Sequence, residues 1–227
     1  MLHNNPSTSD SQLLDLTPFT DQDENATWEN ALRQFDNNML MSALHEFQSL
    51  PQTSKVLFNC GVIFQLLERY KIAVWISKLR QICLNKWNNY WQVKCYSQAI
   101  GLDPYFAVAY FQLGILHFSL EDFKDALIAF NNVQLLLRGN SFIDYSPLGL
   151  DFTLYSCENL FNRGLCFVRL KQKLPGLQDF DRAIRERMRP HHDLVLNIVQ
   201  PKNVRTIAIP VLDTRLTVTV LKLLRPS

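Results

Sequence analysis

The chain has 227 residues, 47% of them hydrophobic and 19% charged, with a formal net charge of +2. That is room for one globular domain with appendages, and the near-neutral balance gives no sign of a nucleic-acid binder. No run of about 18 apolar residues marks a spanning helix, and the five cysteines (Cys60, Cys83, Cys95, Cys157, Cys166) show no CxxC pair or other zinc-ligand spacing. They read as free thiols of a reducing compartment. Residues 1–26 hold five acids and no Lys or Arg, which argues against a mitochondrial leader. Their polar Ser/Thr/Asp-rich composition predicts a disordered extension.

From residue 27 onward the chain repeats itself. The clearest copy, AVAYFQLGILHFSLEDFKDALIAFNNV (107–133), sets Tyr110, Leu113, Gly114, His117, Ala126, Phe130 and Val133 at positions 4, 7, 8, 11, 20, 24 and 27. This is the tetratricopeptide pattern, with His117 where tyrosine is usual. Small residues at positions 8 and 20 let the two helices of a pair touch, and the aromatic at 24 fills the space between neighbouring helix pairs. A weaker first copy (27–50) supplies Ala31, Ala43, Phe47 and Leu50. The second (57–74) supplies Leu57, Cys60, Gly61, Phe64 and Ala73. The fourth (160–184) supplies Leu160, Gly164, Phe167, Gly176, Phe180 and Ala183. The predicted fold is an all-α solenoid of four helix pairs.

Two insertions interrupt it. Gly61 and Gly114 lie 53 residues apart, 19 more than one 34-residue repeat. The excess is WISKLRQICLNKWNNYWQV (75–93), which holds three of the four tryptophans and no acid. Its removal would join Val74 to Lys94 and return Tyr96 and Ala99 to positions 24 and 27. It falls inside a helix pair, where it must loop out or lengthen a helix. It is therefore read as foreign to the repeat (a gene-model artefact or lineage-specific extension), with a Trp-rich docking loop as the alternative.

The second excess, 16 residues, lies between repeats three and four, in LLLRGNSFIDYSPLGLDFTLYSCENLFNRG (135–164). Gly139 is a natural left-handed terminator for the helix carrying Leu135 and Leu137. Pro147 and Gly149 punctuate the excursion, and helical periodicity returns by Phe152. An insertion at a repeat boundary can leave the solenoid without breaking a pair, a common place for a binding surface (138–151). After residue 190 comes a modestly basic tail with eight Lys/Arg against three acids over 185–227. His191-His192-Asp193 in this tail reads as solvated surface.

The stretches LRGNSFIDYSPLGLDFTLYSCENLFNRG, LDPYFAVAYFQLG and SKVLFNCGVI resemble the tetratricopeptide domain of the cytosolic NADPH oxidase activators, the neutrophil cytosolic factor of phagocytes and the NoxR regulators of fungi. TWENALRQFDNN and LFNRGLCF place it nearer the fungal branch. The resemblance covers residues 27–190 apart from the 75–93 segment, and its specific element is the RGNxxIDYxxLGLxF insertion.

The resemblance implies a cytoplasmic regulatory adaptor of a superoxide-generating oxidase, not an enzyme, that binds a GTP-loaded Rac-type small GTPase. It implies contact with the membrane catalytic subunit only indirectly, recruitment to the membrane through partners, and no cofactor or metal. The family's GTPase contacts fall on Ser54, Asp103 and Tyr105 (histidine in the phagocyte protein), and on Arg138, Asn140, Phe142 and Asp144 of the insertion. Ser54 and Asp144 could each equally cap a local turn.

In the family the groove is partly filled by the chain's own C-terminal extension. Here RTIAIPV (205–211) and LKLLRPS (221–227) match parts of that extension, LDTRLTVT (212–219) between them does not, and the family's activation segment lies beyond residue 227. The expectation is a chain that docks a GTPase without stimulating the oxidase. A chaperone adaptor, or a generic scaffold, is the competing class. The former clamps a peptide carboxylate with Lys, Asn and Arg from the first helices, where only Asn59 offers a clamp-like group.

Overall fold

The computed structural model describes residues 21–73 and 78–189, without the side chains of residues 68–88. Among the described residues eight α-helices run in chain order: α1 (Asp21–Asp36), α2 (Leu40–Ser49), α3 (Ser54–Ala73), α4 (Lys78–Leu102), α5 (Ala107–Ser119), α6 (Phe123–Leu137), α7 (Ser156–Arg169) and α8 (Lys173–Arg185). Each packs on the next in the chain, including α6 on α7 across the second insertion. Because consecutive helices alternate in direction, the turns within pairs gather along one edge of the array. The connections between pairs gather along the other.

The repeat positions do what their spacing requires. A Cβ built on Gly114 would stand 2.7 Å from Phe130 Cε1, closer than side chains tolerate, so only glycine lets α5 meet the α6 aromatic. Gly61 under Tyr96 and Gly164 under Phe180 repeat the contact at 2.6 Å. In the first pair Ala31 and Phe47 take these places, both fully buried, and Trp28 packs edge-on against Phe47 at 5.5 Å between centroids. Fully burying such an aromatic stabilises the fold by about 2–3 kcal/mol, and each is shared between both helices of its pair.

Repeat position 15 forms the turn in pairs one, three and four, with Asn38, Glu121 and Lys171 left-handed at φ 62–63°. His117, the departure from the tyrosine pattern, sits at the turn of pair three with Nδ1 3.5 Å from Asp122 Oδ2.

The structure corrects or completes four expectations. First, α1 begins at Asp21, so residues 21–26 belong to a helix and not to a disordered extension. Asp21, Asp23 and Glu24 lie in its first turn, where acids complement the helix dipole. Residues 1–20 lie outside the described residues.

Second, residues 78–93 of the first insertion lengthen α4, one of the two accommodations expected, but Ala73 does not take its repeat position. Position 15 of pair two is Glu68, and α3 passes straight through it to Ala73. α3 and α4 reach 20 and 25 residues, against 13–15 in pairs three and four. A continuous helix cannot omit residues, so the slot one turn before Tyr96 goes to Gln92, 1% exposed. Ala73, expected there, instead ends α3.

Third, Gly139 takes the expected left-handed conformation (φ 82°), but Arg138 before it, the C-cap of α6, is left-handed as well (φ 51°). Fourth, helical structure returns at Ser156 rather than at Phe152, because a small sheet intervenes. Four cysteines (60, 95, 157 and 166) are buried free thiols, and burial pushes Cys95, Cys157 and Cys166 up to about 12. They are inert packing groups.

Candidate functional site: the edge that carries the second insertion

The second insertion is an ordered β-hairpin. β1 (Phe142–Asp144) pairs antiparallel with β2 (Thr153–Tyr155), opposing Phe142 to Tyr155, Ile143 to Leu154 and Asp144 to Thr153. A 3₁₀ turn over Ser146–Leu148 closes it, with Gly149 left-handed at φ 83°. Its apolar side is sewn into the solenoid: Tyr145, Leu150 and Leu154 are buried with the main core. The other side faces out, with Phe142 and Leu148 both 44% exposed.

The hairpin's entry is fixed by backbone. The N–H of Arg138 donates to Leu135 O at 3.1 Å, and that of Asn140 to Leu137 O at 2.8 Å. Arg138 thus terminates α6 in a left-handed conformation that costs a non-glycine residue about 1–2 kcal/mol, and its side chain is exposed. A guanidinium on a fixed stem, beside the exposed amide of Asn140, offers a preset fork of donors.

Asp144 is an exposed turn-former. Its Oδ1 accepts from Ser146 N–H at 2.9 Å and Ser146 Oγ at 2.7 Å, and these bonds hold its carboxyl below the usual carboxylate value. The local-capping alternative therefore describes Asp144 Oδ1. Asp103 behaves alike, accepting from the Tyr105 N–H at 3.0 Å in the α4–α5 connection. Tyr105 is 73% exposed. Ser54 stands at the first position of α3, but the cap there is Thr53, whose Oγ1 accepts from the Val56 N–H at 3.2 Å.

All seven residues singled out in the sequence fall on connections between pairs and hence on one edge. Two of the three connections are joined by contact: Phe106, next to Tyr105, packs edge-on against Tyr145 of the hairpin at 6.1 Å. Ser54 lies one turn from Phe58, whose ring is 5.3 Å from Phe106. Sequence reasoning assigned no role to Tyr145 or Ser146, although both lie within the quoted motif. Their parts depend on contacts that spacing does not reveal.

The inner-face position 6 of the first helices holds Asn59, Gln112 and Asn162, at 0%, 1% and 3% exposure. These carboxamides are enclosed and uncharged, unlike a Lys/Arg clamp for a peptide carboxylate. The expected occupancy of the groove by the C-terminal extension lies outside the described residues, as does His191-His192-Asp193. Among the described residues no helix is long and apolar enough to cross a membrane.

Four helix pairs in this repeat frame define a tetratricopeptide-repeat protein, and solved structures agree. YrrB, a tetratricopeptide protein with an unusual peptide-binding site, superposes with a TM-score of 0.52 at 16% identity, covering 77% of this chain and 73% of its own. A double mutant of the RS-1 MamA gives 0.55 at 15% identity, covering 88% and 93%.

The sequence homologues are more specific. Human neutrophil cytosol factor 2 is 25% identical over 169 residues, 74% of this chain and 28% of its own length. The NADPH oxidase activator of Dictyostelium discoideum is 27% identical over 143 residues, 63% of this chain and 20% of its own. NADPH oxidase activator 1 of rat reaches 39% over 70 residues, 31% of this chain and 16% of its own. The chain thus spans less than a third of the length of these relatives. No family model matches it.

Proposed function

We propose that this chain is a regulatory adaptor of a superoxide-generating NADPH oxidase, and that it binds a GTP-loaded Rac-type small GTPase along the edge bearing the second insertion. The oxidase reading is supported by homologues named for that role. The observation that carries the docking reading is the hairpin itself: core-anchored on one side, with Arg138, Asn140 and Phe142 exposed, and joined through the Phe106–Tyr145 contact to the connection that carries exposed Tyr105.

Such a surface joins a fixed guanidinium to exposed aromatic area, the composition of interface hot spots. A GTPase reports its nucleotide through exposed loop backbone, which guanidinium, carboxamide and carboxylate groups can bond. The adaptor would supply no chemistry of its own, and its membrane recruitment would come through its partners.

The chaperone-adaptor reading is disfavoured because the inner position-6 residues are buried carboxamides without a cationic clamp. Calorimetric titration of the chain with a Rac-type GTPase, loaded with a GTP analogue or GDP, tests the proposal. Binding selective for the GTP form and weakened about 30-fold or more by Arg138→Glu is expected. Equal or absent binding of both forms by a helical chain would refute it.

A further inference from the structure

We infer that Tyr145 is a positioning residue that locks the hairpin to the α4–α5 connection, so that the two halves of the edge meet a partner as one rigid surface. The inference rests on the docking reading above but adds a residue that touches no partner.

The geometry is specific. α5 begins at Ala107, and its N-cap residue Phe106 provides no side-chain cap. The first N–H groups of a helix need acceptors from elsewhere. Here the acceptor comes from 37 residues away: the Val108 N–H donates to Tyr145 Oη at 2.9 Å in a buried bond. Tyr145 is 4% exposed. Burial pushes its hydroxyl up to about 12, against opposing bonds from the Val108 and Ala107 backbone, so it stays a neutral phenol under ordinary conditions.

The same residue holds the hairpin's turn together. Its N–H donates to Phe152 O at 3.0 Å, and its carbonyl accepts from the Leu148 and Leu150 N–H groups at 2.9 and 3.2 Å. Backbone and side chain of one residue therefore fasten both the loop next to Asp144 and the helix start next to Tyr105. A remote phenol replacing a local Ser, Thr or Asp cap makes the register of one loop depend on the other.

Tyr145→Phe removes the tether's hydroxyl and keeps the ring that packs on Phe106. Expected first is faster exchange of the Val108 amide, and of the Leu148 and Leu150 amides, with helical content kept and the unfolding midpoint lowered, because a buried N–H loses its acceptor. Unchanged exchange at Val108 would overturn the inference whether or not a GTPase binds.

Expected second is GTPase affinity weaker by roughly two- to tenfold, the worth of one net hydrogen bond. A double-mutant cycle between Tyr105→Ala and Arg138→Ala should show coupling in the parent chain and additive effects in Tyr145→Phe. Additivity in both backgrounds would overturn the rigid-edge inference. Absence of binding by the parent chain would refute the docking reading alone, leaving the exchange data to judge the tether.

Discussion

The two insertions are of similar length and have opposite relations to the solenoid. The one after α6 sits between helix pairs, and the array closes behind it: α6 still packs on α7, and the extra residues build a paired hairpin with its own buried side chains. The one within pair two cannot be set aside in this way. It runs α3 through the turn position, lengthens α4, and puts a glutamine where the other pairs have alanine or glycine. An insertion between repeats adds a surface, whereas one inside a repeat alters the packing it interrupts. They also lie apart: the hairpin follows α6, whereas residues 78–93 form the N-terminal part of α4, away from its connection to α5.

The largest expected effect separates the anchored insertion from a passive loop. Leu154→Ala removes a fully buried side chain shared between hairpin and core. It should destabilise the chain by about 2–5 kcal/mol in urea unfolding; a loss under about 1 kcal/mol would mean that the hairpin merely rests on the solenoid.

Next is the outward side of the same element. Arg138→Glu should weaken GTPase binding by about 2 kcal/mol or more, roughly 30-fold, while changing unfolding stability by no more than about 0.5 kcal/mol. A comparable loss of stability would assign Arg138 to the fold instead.

Deletion of residues 75–93 addresses the other insertion. It lets Ala73 take the slot now filled by Gln92, and should raise stability by about 1–2 kcal/mol by returning a small side chain to a small-residue site. GTPase affinity should stay within about twofold, because the sites lie apart. A large loss of affinity would show that the Trp-rich segment itself reaches the partner.

The smallest effect concerns the exposed turn. Asp144 is held below the usual 3.8 by its bonds from Ser146, so its folded value is depressed. Its contribution is fully present above the unfolded value and is lost as pH falls through the lower folded value. Carboxyl titration by NMR should place Asp144 below 3.8, and Ser146→Ala should move it upward. An unmoved titration would mean the Asx turn does not form in solution.

Much of this was legible in the sequence for a stated reason. Gly61, Gly114 and Gly164 could be paired with Tyr96, Phe130 and Phe180 because helix contact demands a small residue against an aromatic at fixed spacing. The place of the hairpin followed from the excess length before Gly164.

Its strands were not legible: three residues each are too few for alternation to register, and Ile143 and Leu154 fit a helical pattern as well. Left-handed Arg138 was hidden because Gly139 beside it satisfies the usual rule. Gln92 was missed because excising 75–93 on paper restores a good register, whereas the folded helix must carry every residue. Tyr145 was visible as a letter, but its bond to Val108 spans 37 residues and exists only once the loops meet.

The central claim is that the partner meets the edge of inter-pair connections. Hydrogen exchange on the chain alone and bound to a GTP-analogue-loaded Rac-type GTPase tests it most directly. The account predicts new protection at residues 103–106 and 138–146, with exchange unchanged at the opposite turns around Asn38, Glu121 and Lys171 and across 75–93. Protection confined to those turns or to the 75–93 segment would contradict it.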